Sequence, residues 1–102
     1  MQELTRKILD YLQKRHRLDI LLGMFTGEKE EYSWRDFRAW QLSDKTFRQA
    51  VHELESLGLV RRIRLSSKHN RYALTDSGVQ VASILHEAIR NLDDLVKTFE
   101  KS

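Results

Sequence analysis

Apolar residues recur along this chain with a helical period for most of its length. Leu4, Ile8, Tyr11 and Leu12 fall at i, i+4, i+7 and i+8, one face of an amphipathic helix running to about Arg15. Leu18, Leu21, Leu22 and Phe25 repeat that pattern until Gly27 ends it, so the opening stretch predicts two helices or one bent helix. The polar run that follows fits a loop or a short edge strand. Ser33 then precedes Asp36 at the spacing of a capping box, which places the serine hydroxyl to accept from the third helical N–H. A short helix from Trp34 to about Trp40 is expected there, burying Phe37 and part of each tryptophan.

Ser43 opens the next helix in the same manner, with Asp44 in the first turn, where the positive end of the helix dipole favours an acid. Phe47, Ala50, Val51, Leu54 and Leu57 mark its buried face, and Gly58 stops it. The period then changes from helical to partly alternating. The segments "LVRRIRL" and "RYALT" are rich in β-formers, and "SSKHN" between them suits an exposed turn, so a two-stranded hairpin is predicted. Thr75 and Asp76 cap a last helix to about Phe99, with no proline to break it. The pattern describes one mainly α domain with a small β-hairpin, an α+β fold. Its parts are an N-terminal helix over 1–16, a core over 17–75 and a long C-terminal helix over 76–102.

Composition narrows the chemistry. The 102 residues are 40% hydrophobic and 32% charged with a net charge of +3, which describes a globular, mildly basic domain. No apolar run approaches membrane-spanning length, and the first fifteen residues carry charges where a signal peptide has its apolar centre, so a cytoplasmic location is expected. There is no cysteine, which removes disulfides, Cys-ligated zinc and thiol catalysis. The four histidines show no HExxH spacing, the four glycines form no phosphate loop, and no GxSxG frames a serine. Neither an enzyme nor a bound metal or cofactor is expected.

Charge is unevenly placed. Residues 1–33 hold six basic and six acidic side chains, residues 34–75 nine and four, and residues 76–102 three and five. From Ser56 to Thr75 there is no acid at all, while Arg61, Arg62, Arg64, Lys68 and Arg71 supply five positive charges. A field this one-sided suits a polyanionic partner.

Three strings in order, Ser43-Asp44-Lys45-Thr46-Phe47, Leu54 to Val60 and Tyr72 to Gly78, make the chain resemble winged helix-turn-helix domains of the MarR, PadR and ArsR kind. Those families carry roughly "s-x-x-T-v", "L-x-x-x-G-L-[IV]" and "[YV]-x-L-T-x-x-G" at the same places, and the match covers residues 18–80. The chain departs from them in lacking the Asp-rich wing turn of MarR proteins and the thiol and metal-site residues of ArsR sensors. The resemblance implies that the 43–57 helix reads a DNA major groove, and that the hairpin is a wing on the backbone or in the minor groove, with Arg71 the arginine that enters the latter.

With Phe47, Ala50, Val51 and Leu54 turned inward, Lys45, Thr46, Arg48, Gln49 and His52 are left as the reading face. Arg62, Arg64, Lys68, His69 and Arg71 are the wing contacts, and Arg35 and Arg38 are candidates for the DNA backbone. Trp34 and Trp40 have the character of a small-molecule pocket, but their spacing about Phe37 favours core packing, and no effector is evident. His16 and His86 are expected at helix surfaces. In the last helix Val81, Leu85, Ala88, Leu92, Leu95 and Phe99 form a heptad seam widened by Ala82, Ile89 and Val96. At about 36 Å that helix outreaches a small core, so Leu4, Ile8, Leu85, Ile89, Leu92, Leu95, Val96 and Phe99 are expected to form a homodimer contact, the alternative being an intrachain pairing of the first and last helices alone. The expected function is a homodimeric sequence-specific duplex-DNA-binding regulator, most simply a repressor. The alternative is a winged helix serving as a protein-interaction module in a transcription or replication assembly.

Overall fold

The computed structural model describes residues 1–38, 43–64, 66 and 69–101, with Arg15 and Arg38 described by their backbone alone. Helices α1 (Glu3–Tyr11) and α2 (Arg15–Thr26) lead to a two-residue strand β1 (Tyr32–Ser33) and a short helix α3 (Trp34–Arg38). Helix α4 (Asp44–Ser56), strands β2 (Val60–Arg64) and β3 (Asn70–Leu74), and helix α5 (Asp76–Glu100) follow. The strands form one antiparallel sheet in the order β1-β3-β2, with Tyr32 opposite Tyr72 and Arg62 opposite Tyr72 on its other side. The polar run before Ser33 therefore ends in the short edge strand.

The opening pattern forms two helices, and the chain turns after Leu12. Tyr11 is the reason: its buried hydroxyl donates to the Ala50 carbonyl on α4 at 2.8 Å, and Arg17 from the start of α2 donates back to the Tyr11 carbonyl at 3.3 Å. Burial pushes the Tyr11 phenol well above its ordinary range, against the opposing pull of the Arg17 charge, so the hydroxyl stays a donor. The inward face of α2 is centred on Ile20, Leu21 and Met24, whereas Leu18, Leu22 and Phe25 sit half-buried. That is a correction of about one position around the helix, since α2 packs against both the sheet and α5 and so buries a wider face than one stripe.

An aromatic cluster ties α3, α4 and the sheet together. Phe47 lies 4.6 Å from the Phe37 ring, 5.0 Å from Trp34 and 5.6 Å from Tyr72, with Tyr32 against Phe37 at 5.8 Å. Trp34 is thus packed on Phe47; Trp40 lies outside the described residues. At the head of α3 the carboxylate arm of the capping box forms. Asp36 accepts from the Ser33 N–H at 2.8 Å and from its hydroxyl at 3.2 Å, so the serine donates here. The Lys29 ammonium, followed by the Ser33 N–H, holds the Asp36 carboxyl below its usual range. The stability this joint contributes is present above the ordinary carboxyl pKa and is lost as pH falls through the lowered one.

The glycine stop and the last cap interlock. Gly58 has φ +77°, the Leu59 N–H returns to the Leu54 carbonyl and the Gly58 N–H to the Glu55 carbonyl, both at 3.0 Å, which is the Schellman arrangement. Thr75 accepts from the Gly78 N–H at 3.0 Å to start α5 and donates its own hydroxyl to the Gly58 carbonyl at 2.6 Å. Helix α5 comes so close here that a Cβ on Gly78 would stand 1.9 Å from the Leu59 carbonyl oxygen. Gly78→Ala is therefore expected to cost about 1–3 kcal/mol by overpacking a backbone that has no rotamer to move away. Urea unfolding measures it, and a loss within about 0.5 kcal/mol, the range of surface substitutions, would mean the joint is slack.

Candidate nucleic-acid interface

Helix α4 owes its start to Ser43, whose hydroxyl oxygen accepts from the Thr46 N–H at 3.1 Å and donates to Thr46 Oγ1 at 2.8 Å. Phe47, Ala50, Val51 and Leu54 are buried, and Leu57 is partly so. Fixing that face leaves Lys45, Arg48, Gln49 and His52 exposed on the other, with Thr46 half-buried at the cap. The back of the helix is held by the Tyr11 bond and by Arg17, whose guanidinium meets Glu53 at 2.8 Å and lies 4.7 Å over the Tyr11 ring. The outward face is presented by a helix fixed at both its start and its middle.

Between α4 and the β2–β3 hairpin runs an open groove of about 1200 Å³. Arg48 and His52 from α4, and Arg62, His69 and Arg71 from the hairpin, share its lining. Lys45 and Gln49 stand exposed on α4 outside that lining, and Arg64 is exposed on β2. Lys68 lies outside the described residues. Arg35, on α3, lines the groove as well and shares a second, smaller groove of about 580 Å³ with Arg71. Charge alone gave it no better standing than Arg38, whose side chain is not described. Its distinguishing signal is register: Ser33 pairs with Arg71, which brings the start of α3 to the hairpin.

The groove arginines are not equivalent. Arg48 donates through Nε to Asp44 at 3.0 Å, and Arg62 pairs with Glu55 at 3.2 Å while its guanidinium lies 5.8 Å from the Tyr72 ring centre. Arg62 therefore also braces the hairpin on α4, a role its sequence position did not announce. Exposed pairs of this kind contribute little to stability, and Arg48, engaged through Nε, still presents its terminal guanidinium nitrogens to a partner.

A capped helix presenting polar residues beside a basic antiparallel hairpin, with a short third strand at the sheet edge, decides the architecture. This is a winged helix. Solved structures agree: a transcriptional regulator homologue from Pyrococcus horikoshii superposes with a TM-score of 0.72 at 17% identity over 93% of this chain and 98% of its own. MepR of Staphylococcus aureus, solved in complex with DNA, gives 0.71 at 14% over 95% and 81%. HlyU of Vibrio vulnificus, a transcriptional regulator, gives 0.63 at 23% over 82% and 85%. At these identities the likeness establishes the winged-helix fold. No protein-family model matches the sequence, and no curated protein matches it.

The remaining candidates are placed by the same fold. His16 is half-buried, and the His86 ring packs against Phe25 at 5.7 Å, tilted by 58°, between α5 and α2. Ile8 and Leu85 pack against the chain's own core, and Ile89 is half-buried. Leu4, Leu92, Leu95, Val96 and Phe99 are exposed, the last at 63%. Among the described residues no helix is long and apolar enough to cross a membrane.

Proposed function

We propose that this chain is a homodimeric, sequence-specific double-stranded DNA-binding transcriptional regulator, a repressor that works in the cytoplasm by occupying its operator. The observation that carries the reading is the groove, where arginines from α3, α4 and the wing converge beside the exposed polar face of a capped helix. In this reading the N-terminal half of α4 enters the major groove, with Lys45, Thr46, Arg48, Gln49 and His52 toward base edges. The wing residues Arg62, Arg64, Lys68, His69 and Arg71 follow the backbone or the minor groove, and Arg35 adds a phosphate contact. That MepR was solved on DNA supports the placement. The exposed seam at the end of α5 supports a second copy, since a soluble monomer has little reason to present Leu92, Leu95 and Phe99 on one helix end.

Selection of bound sequences from a random duplex pool tests this. Enriched sequences should hold two half-sites related by a two-fold axis, with centres about one helical turn or a multiple of it apart. A pool that stays unenriched at low salt would overturn the reading and point to a protein-interaction module.

A further inference from the structure

Four arginines, Arg35, Arg48, Arg62 and Arg71, line the groove among side chains that are neutral but for one. Among the described residues that line it, Asp44 alone carries a carboxylate. A negative charge there repels phosphates and so weakens binding to every duplex. Its return to the fold is small: the first-turn position favours an acid, but its side chain is 51% exposed and its partner Arg48 is 75% exposed.

What Asp44 does do is hold Arg48. One helical turn separates them, and the contact is made through Nε, the inner nitrogen of the guanidinium, at 3.0 Å. With Nε engaged, the two terminal nitrogens remain as a side-by-side pair of donors. That pair matches guanine O6 and N7 in the major groove. An arginine without such a partner must give up the freedom of a long side chain on binding, whereas one already held gives up less.

We propose that Asp44 is a specificity-determining positioning residue, which aims Arg48 at one guanine in each half-site while its charge penalises any duplex that does not offer that guanine. The inference rests on the DNA-binding reading above and adds to it a selection element built into the first turn of α4. The opposition of effects is its signature. Asp44 should weaken binding in general and sharpen it at one base pair.

The test is a double-mutant cycle with Asp44→Asn, Arg48→Ala and the two combined, each compared with wild type on three duplexes. These are the selected operator, the same operator with the Arg48-sensitive G·C pair changed to A·T, and a scrambled sequence. Asp44→Asn keeps the side chain's shape, and thermal unfolding confirms that each variant is folded. The expected result is that Asp44→Asn binds scrambled DNA several-fold tighter than wild type while its preference for G·C at that pair falls about tenfold. In the Arg48→Ala background the same change should leave that preference where it was. Equal tightening on all three duplexes would overturn the proposal, because Asp44 would then be only a repulsive charge. A loss of preference that persists without Arg48 would overturn it too, because Asp44 would then read a base itself. If wild type prefers no duplex, the DNA-binding reading fails and this inference with it; a selective wild type with an uncoupled cycle removes this inference alone.

Discussion

Leu92→Glu combined with Leu95→Glu is expected to turn the protein into monomers and to lower its affinity for a two-half-site operator by roughly 10²–10⁴-fold, the factor by which linking two binding heads raises avidity. The grounds are where α5 stops touching its own domain. Val81 and Leu85 pack on the core and Ala82 is fully buried, whereas Leu92 and Leu95 are 59% and 49% exposed two to three turns further on. Charge at those two positions leaves the winged core intact and removes only the apolar surface a second α5 would cover. Sedimentation reads the oligomeric state, and binding to single and paired half-sites separates a loss of avidity from a loss of recognition. A double variant that stays dimeric would move the interface elsewhere, with the exposed Leu4 and Leu9 on α1 the next surface to charge.

Phe47→Ala is expected to destabilise the fold by about 3–5 kcal/mol, the cost of emptying a well-packed aromatic site. Phe47 is 2% exposed and stands among Trp34, Phe37 and Tyr72, so it joins α3, α4 and β3 at one point. Against a total stability of about 5–15 kcal/mol for a domain, that loss leaves little in reserve. It also bears on the site, because Arg48 is the next residue and its direction is fixed by the burial of Phe47. Urea unfolding is the measurement. A loss below about 1 kcal/mol would show that the ring cluster does not support the helix.

The elements legible in the sequence were those governed by local rules. Ser43, Gly58 and Thr75 act within a few residues of themselves, through a hydroxyl cap, a left-handed stop and a second cap, and all three do so in the structure. The outward face of α4 was legible for the same reason: once Phe47, Ala50, Val51 and Leu54 turn inward, geometry leaves Arg48, Gln49 and His52 no other side. What periodicity could not supply is contact between distant positions. The Tyr11 bond to Ala50 spans 39 residues and the Arg17 pair with Glu53 spans 36, and neither has a local signature. Arg35 joins the groove only because β1, two residues long, pairs with β3. The pairing of Arg62 with Glu55 likewise depends on the wing folding back on α4.

The most direct test of the central claim, that α4 reads bases while the basic residues around it hold phosphates, is equilibrium binding across a salt series. Wild type, Arg48→Ala and Arg71→Ala are each measured on the selected operator and on scrambled duplex. For wild type, log affinity should fall linearly with log salt, with a slope of about −0.9 for each phosphate neutralised. Arg48→Ala should cost about 1–3 kcal/mol on the operator and little on scrambled DNA. Arg71→Ala should weaken both duplexes and flatten the salt slope by about one unit for each phosphate it no longer neutralises. Equal losses from both variants on both duplexes, or no duplex binding at low salt, would contradict the account and reduce the α4 face to an ordinary charged surface.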